Sequence, residues 1–221
     1  MQFTGARLRI ISIMPMMLCA PSIPISAAPM SLRHLAEQEA RLSRIAVRIS
    51  AKAVTACRDR SISQGSASSS ADSREQPAVA TRPSCAGKIS LVNSGRRNAW
   101  SDGQCVVVTT GMIRLARSDD ELAFVIAHEM AHNILGHSQV RLPGIFGIKF
   151  GGKKQELAAD SLAVRLMTDG GYDAGGGINF LRGARRRLWW NMSLDHPSFG
   201  RRIANVTHTM KAEARSRVSP L

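Results

Sequence analysis

Two histidines, four residues apart on one predicted helix, constrain this chain most. They stand in His128-Glu-Met-Ala-His132, inside an apolar-periodic segment that opens at Ser118 with a capping and acidic first-turn pattern and runs to about His137. Residues i and i+4 of a helix lie one turn apart on the same face. Both imidazoles therefore project together and are spaced to bind one metal ion.

The residues around this pair predict a catalytic zinc site. Glu129 is rotated about 100° from His128, off the ligand face but close enough to act as general base toward a zinc-bound water. Catalytic zinc commonly takes three protein ligands, whereas structural zinc is usually closed by Cys and His. Glu156, on a helix predicted from about 154 to 167, is the best third ligand. Asp160, one turn further, is placed to accept the spare N–H of a liganding histidine.

A third histidine, His137, follows His132 after five residues. On an ideal helix it would point about 140° away from His132, which is poor geometry for the same ion. We expect His137 either to be structural or to contact a metal-binding residue without binding the ion itself.

The rest of the chain divides by composition into a leader, a helix, a linker and a domain. Residues 1–28 predict a cleaved signal peptide, because a short basic start precedes an apolar run of about 11 residues, too short to span a bilayer. Residues 29–60 predict an amphipathic helix packed on the outside, and the Ser-, Ala-, Gly- and Pro-rich residues 61–84 a flexible linker. Residues 85–221 form the metal-binding domain.

Within that domain, short β-branched runs at 88–92 and 104–110 predict two strands of a small sheet. Two further helices are expected at about 177–188 and 199–214. The fold class is therefore α+β, mainly helical with a small β-sheet.

Cysteine usage fits an exported protein. An oxidising compartment would permit one disulfide among Cys57, Cys85 and Cys105. Cys85 and Cys105 flank a predicted hairpin-like region, which favours that pair. Three small buried thiols are the alternative.

The formal net charge is +14, from 30 Lys and Arg against 16 Asp and Glu. Such a balance favours anionic surfaces. One Tyr and no interleaving of aromatic with basic residues argue against a nucleic-acid partner. With an export signal, peripheral contact with an anionic membrane surface is the better expectation. The basic and aromatic residues 185–190 would suit lipid, or else form a solvated helix end with buried tryptophans.

Over about residues 87–206 the chain resembles the gluzincin peptidases typified by the HtpX heat-shock protease and the CaaX prenyl endopeptidase. The resemblance includes His128-Glu-Met-Ala-His132 and Glu156-x-x-Ala-Asp160. It also includes Asn98-Ala-Trp100, Val-Thr-Thr-Gly111, Glu121-Leu-Ala, Gly171-Tyr-Asp173, His196-Pro197 and Arg202-Ile203.

The resemblance implies a zincin-like endopeptidase with one Zn²⁺ per chain. It also implies that His196 lies over the active cleft, where it stabilises the oxyanion or instead approaches the zinc and holds the enzyme latent. A surface histidine before a proline-made turn is the alternative. In the expected reaction, either His196 or Arg202 steadies developing charge. The region of Asn98-Ala-Trp100 would border an edge strand that pairs with substrate. Because the chain lacks the spanning helices of membrane members, it looks like the small soluble periplasmic type, acting on misfolded or unassembled envelope proteins.

Two other functions stay open at the level of sequence. One is a non-proteolytic periplasmic chaperone or assembly factor with a latent zinc site. The other is a basic protein that binds the envelope surface and keeps only a relic of the site, which would contain no stoichiometric zinc.

Overall fold

A computed structural model describes residues 32–65, 88–103, 105–137, 152–187 and 197–218. The predicted signal peptide, most of the predicted linker, Cys85 and His196 lie outside these ranges. Six helices and three strands follow one another in the described ranges, in the order α1 (Leu32–Gly65), β1 (Lys88–Val92), β2 (Ala99–Ser101), β3 (Cys105–Thr109), α2 (Thr110–Leu115), α3 (Asp119–Ile134), α4 (Lys153–Asp169), α5 (Gly175–Arg187) and α6 (Phe199–Val218).

Most predicted elements are confirmed within a few residues, but three details differ. The strand β2 and the short helix α2 were not predicted. α1 continues to Gly65, into the first residues of the predicted linker. α3 ends at Ile134, short of His137, because Gly136 takes a positive φ of 68° and turns the chain out of the helix.

The sheet has the strand order β1-β3-β2, with β3 in the centre and buried throughout. β1 pairs with β3 in parallel, from Lys88 opposite Cys105 to Val92 opposite Thr109. β2 pairs with the other edge of β3 in the antiparallel sense. The expected hairpin-like arrangement before Cys105 is therefore wrong, because β2 reverses the chain between the two parallel strands.

α1 buries one stripe against the rest of the domain. The stripe follows helical spacing and consists of Leu42, Ile45, Ile49, Ala53 and Cys57, which join the same hydrophobic core as α3. Rather than lying apart from the domain, α1 packs directly on α3.

Cys57 and Cys105 are both buried and disulfide-bonded. The alternative of free thiols is therefore wrong for these two residues. The expected Cys85–Cys105 pairing stays a prediction, since Cys85 falls outside the described residues.

α3 is the central helix, in contact with α1, α4, α5 and the sheet. Its start confirms the capping prediction: the Ser118 hydroxyl accepts a hydrogen bond from the Glu121 N–H at 3.1 Å. α5 approaches it closely through glycine, because a Cβ on Gly177 would lie 2.6 Å from the Phe124 ring. Small residues also allow α4 to pack close to α3, and Ala159 and Ala163 are fully buried.

The architecture agrees with the predicted α+β class, being mostly helical with a three-stranded sheet. Among the helices described here, none has the length and apolar character needed to cross a membrane.

Gly111 at the start of α2 leads to a stability prediction. Its N–H donates to the Ser94 carbonyl at 2.8 Å, and an added Cβ would overlap the carbonyl oxygens of Gly95 and Arg96. Since these are backbone atoms, we expect Gly111→Ala to lower the free energy of unfolding by about 2 kcal/mol or more, measured by urea denaturation.

Gly183→Ala is the matched control. A Cβ there would meet only the flexible Arg117 guanidinium, at 3.4 Å, and alanine is the better helix former. We expect a change between zero and a gain of about 1 kcal/mol. Equal losses in the two variants would contradict the assigned close approach at Gly111.

Candidate metal centre

Three side chains converge between α3 and α4. His128 and His132 lie one turn apart on α3, and Glu156 lies in the first turn of α4. Their ligand atoms all stand within 4.8 Å of one another. The structure thus brings together the three residues expected to hold the metal.

The distances among these donors fit a tetrahedral ion. The two Nε2 atoms are 3.1 Å apart, Oε2 of Glu156 lies 3.5 Å from Nε2 of His128, and Oε1 of Glu156 lies 3.4 Å from Nε2 of His132. Ligand atoms with bonds of 2.0–2.1 Å at the corners of a tetrahedron stand about 3.4 Å apart. Two imidazoles and a carboxylate are also the donors of known catalytic zinc sites, so the residues present fit zinc.

Burial shields the centre from bulk water. The side chains of His128 and His132 are 10% and 12% exposed, and that of Glu156 is 6% exposed. The Phe124 ring lies one turn before His128 with its centroid 6.1 Å from that imidazole, and it also contacts Phe180 on α5. These apolar neighbours lower the local dielectric constant and strengthen the interactions among the charged groups.

The outer nitrogen of His128 contacts Asp160. Nδ1 of His128 lies 3.0 Å from Oδ1 of Asp160, a carboxylate with no exposed surface. With Nδ1–H donating to this carboxylate, Nε2 carries the lone pair toward the other two ligands. This is the contact expected for Asp160 from its spacing after Glu156.

Arg202 on α6 completes the support. Its Nε and Nη2 donate to Oδ2 and Oδ1 of Asp160 at 2.8 and 2.6 Å, and its Nη1 lies 3.8 Å from Oε2 of Glu156. One guanidinium thus contacts both the carboxylate ligand and the carboxylate that orients His128. Sequence analysis assigned Arg202 to developing charge on the substrate, a role that stays a prediction.

These contacts determine the protonation of the cluster without metal. Burial and the charge of Arg202 both lower the pKa of His128, but hydrogen bonds with Asp160 and Glu156 outweigh them and raise that pKa to about 9. Burial raises the pKa of Asp160, and the Arg202 charge and hydrogen bonds outweigh it, so the net shift is downward. Near neutral pH the metal-free cluster therefore favours a protonated His128 beside an ionised Asp160.

The outer nitrogen of His132 also has a partner. Nδ1 of His137 lies 3.2 Å from Nδ1 of His132, and the two ring centroids are 5.2 Å apart. An ideal helix would have directed His137 away. The helix ends at Ile134, however, and the turn at Gly136 returns the ring to His132. Of the two expectations for His137, the contact favours support of a ligand.

The remaining predicted site residues differ in how they are placed. Glu129 lies on α3 directly after His128 and is half-buried. His196 lies outside the described residues, so its two proposed roles stay predictions. Pro197, the residue that follows it, is buried at the start of the segment that leads into α6.

Sequence reasoning missed Asn133, the residue after His132. Its Oδ1 accepts from the Gly103 N–H at 2.8 Å, and its Nδ2 donates to the Cys105 carbonyl at 3.4 Å. The side chain therefore ties the turn between β2 and β3 to the metal helix. A buried amide leaves no spacing signal in the sequence, because its partners are backbone groups about 30 residues away.

The ion pair behind the site predicts a large effect of Arg202→Met. Removing the guanidinium leaves the Asp160 and Glu156 carboxylates buried beside each other, and breaking one partner of a buried pair typically costs about 3 kcal/mol or more. We expect this loss in the free energy of unfolding of chelator-treated protein, measured by urea denaturation.

Arg165→Met provides the comparison. Arg165 pairs with Glu213 at 2.8 Å, but its side chain is 61% exposed. An exposed pair of this kind is worth less than about 1 kcal/mol. Similar losses in the two variants would mean that Arg202 does not balance a buried charge.

The raised pKa of His128 predicts that zinc uptake displaces a proton. In the folded, metal-free protein the pKa of His128 is about 9, above the ordinary 6.5. Protonated His128 therefore stabilises the metal-free protein by about 3 kcal/mol below pH 6.5. This contribution is lost as the pH rises through 9. A liganding imidazole must be neutral. We therefore expect zinc affinity to rise about tenfold per pH unit between pH 7 and 9.

Titration calorimetry in buffers of different ionisation enthalpy measures the protons released. The expected result is at least one proton per zinc at pH 7 and a smaller number above pH 9. Heat that does not depend on the buffer at pH 7 would contradict the raised pKa.

Comparison with known proteins adds one match. Residues 77–151 match the model of Peptidase family M48, about a third of the chain, and this stretch contains the sheet and the whole of α3. Glu156, Asp160 and Arg202 lie beyond it. No curated protein matches the chain. The sequence of the sheet and the metal helix is thus similar to that of M48 peptidases. The third ligand and its support lie outside the matched stretch and rest on the sequence spacing and the geometry. Together these findings support a metallopeptidase.

Proposed function

We propose that this protein is a zinc-dependent endopeptidase that hydrolyses internal peptide bonds of protein substrates. The observation that carries the proposal is the convergence of His128, His132 and Glu156, which each offer one ligand atom within 4.8 Å of the other two. Three protein ligands leave one tetrahedral position open, which is the mark of a catalytic rather than a structural zinc site.

Zinc held by these residues would polarise the scissile carbonyl and make a water more acidic. Glu129 takes the proton of the attacking water. It follows His128 on α3, so its carboxylate leaves the helix about 100° from the ligand face, beside the ligands but not among them. The protonated Glu129 then donates to the nitrogen of the leaving amine, which completes the hydrolysis.

Asp160 and Arg202 position the ligands. Asp160 holds Nδ1–H of His128, and Arg202 holds Asp160 with two hydrogen bonds. Because two guanidinium nitrogens of Arg202 already bind the two oxygens of the buried Asp160 carboxylate, Arg202 acts through Asp160. We therefore propose that Arg202 positions the ligands, and its expected contact with developing charge on the substrate stays a separate prediction. His196, which precedes Pro197, remains the candidate for stabilising the oxyanion.

The edge of the sheet offers a place for an extended substrate. β2 is one of the two edge strands of the described sheet, runs antiparallel to β3 and packs beside α3. Asn133 fixes the turn after β2 to the metal helix, so the strand edge and the ligands keep a constant spacing. A peptide that adds to this edge would be held by backbone hydrogen bonds, with little dependence on its sequence.

The proposal also covers the compartment of the protein and the class of its substrates. Residues 1–28 have the basic start and short apolar run of a secretory signal, and two buried cysteines are disulfide-bonded, which suits an oxidising compartment. A peptidase with weak sequence preference in the periplasm would act on misfolded or unassembled envelope proteins, whose backbone is accessible.

Glu129→Gln tests the chemistry. The amide keeps the size of the side chain but cannot take a proton, so we expect kcat/KM for casein to fall by about 10³-fold while one zinc per chain is retained. Metal analysis of the purified protein and casein cleavage with and without chelator are the measurements. Glu39→Gln, at an exposed position on α1, is the matched control and should keep full activity.

The outcomes separate the proposed function from its rivals. Biological activity retained in Glu129→Gln would favour a non-proteolytic chaperone. Absence of stoichiometric zinc would favour a binding protein with a relic site. Wild-type protein that binds zinc but cleaves only after a change at His196 would identify that histidine as the group that holds the enzyme latent.

A further inference from the structure

In the middle of α1, the outward face carries charges of one sign. Between Ala40 and Arg58 the helix has five Lys and Arg residues and no Asp or Glu. Arg41 turns toward the domain and pairs with Asp119 at 2.7 Å. The other four cations are exposed: Arg44, Arg48, Lys52 and Arg58. Most solvated helix faces mix both signs, so this one is unusual.

Two exposed valines lie among these cations. Val47 is 70% and Val54 37% exposed, two turns apart in the middle of the helix. The only other large hydrophobic side chains exposed in the described ranges are at helix ends, Leu32 and Val218. At 100° per residue, the cations and valines share an arc of about 160° opposite the buried stripe. We call Arg44, Val47, Arg48, Lys52, Val54 and Arg58 the α1 outer face.

One acidic side chain near this face is already paired. Arg48 donates a hydrogen bond to the Gly171 carbonyl at 3.4 Å. Its guanidinium also stacks over the Tyr172 ring, with Cζ 4.7 Å from the ring centroid. The α1 outer face therefore adjoins the C-terminal end of α4. The acidic residue at that end, Asp169, is ion-paired with Arg217 of α6. Its charge is thus already balanced.

We propose that the α1 outer face binds the surface of an anionic phospholipid bilayer. Cations at the level of lipid phosphates and small apolar side chains in the headgroup region are the two elements of interfacial helix binding. A soluble acidic partner would satisfy the cations but would leave the convex, central valines without a reason to be exposed. A broad planar surface meets both groups at once along one helix.

Docking through this face leaves the metal centre accessible. Glu156 and Asp169 lie near opposite ends of α4, and 13 residues of helix span about 20 Å. The lipid-binding face adjoins the end marked by Asp169, and the ligands lie at the other. The proposal goes beyond peptidase function and does not depend on it, because none of its residues contacts the metal centre.

Vesicle co-sedimentation tests the proposal with protein purified after expression of the full chain. The double variant Arg44→Ala/Lys52→Ala is compared with Arg182→Ala/Lys211→Ala, which removes one exposed cation each from α5 and α6 and changes the net charge equally. On vesicles that contain phosphatidylglycerol, we expect the α1 variant to lose binding on the order of twentyfold, about fivefold per cation, and the control variant less than about threefold. Vesicles of phosphatidylcholine alone should bind none of them appreciably.

Val47→Ser distinguishes a bilayer from a soluble acidic partner. We expect it to weaken vesicle binding by about threefold and to leave binding to soluble polyglutamate unchanged. Equal losses in the two double variants, or no preference for phosphatidylglycerol, would overturn the proposal. Tighter binding to polyglutamate than to vesicles, with no effect of Val47→Ser, would assign the face to an acidic macromolecule. Casein cleavage by Arg44→Ala/Lys52→Ala should match wild type, whether or not it binds vesicles.

Discussion

Arg202 donates two hydrogen bonds to the fully buried carboxylate of Asp160, and that carboxylate in turn faces Nδ1 of His128. The three groups lie on three different helices, α6, α4 and α3. A carboxylate without exposed surface is stable only if a partner compensates its charge, so the position of α6 is linked to the ionisation of Asp160. The orientation of His128, and through it the metal centre, depends on this ion pair.

The same pair explains how a site with two carboxylates can be buried. Glu156 and Asp160 stand one turn apart on α4, and the Arg202 guanidinium contacts both. Without metal, an imidazolium at His128 adds further positive charge, consistent with its raised pKa of about 9. When an ion binds, its positive charge takes over part of that compensation and the proton leaves. The ion thus replaces the proton as the positive charge that faces the buried carboxylates.

Distinct parts of the molecule serve chemistry and placement. α3 is buried among helices and sheet, which holds its ligands rigidly, and Asn133 couples it to the strand edge proposed for substrate. α1 buries one side in the same core and exposes cations and valines on the other. One helix thus contributes to the stability of the domain and carries the surface proposed for an anionic bilayer, and the length of α4 separates that surface from the ligands.

Sequence alone determined the parts of the site that lie within single helices. The spacing of His128 and His132, and of Glu156 and Asp160, places each pair on one helix face whatever the tertiary structure, because the helix repeat is local. Only the tertiary structure determined which faces of the helices and strands pack against each other. It brought Arg202 to Asp160, Asn133 to backbone groups of the sheet, and β1 beside β3 in parallel. His137 shows the limit most clearly, because an angle computed for an ideal helix fails once the chain leaves that helix at Gly136. Contacts between distant segments depend on packing and charge compensation, which no local period encodes.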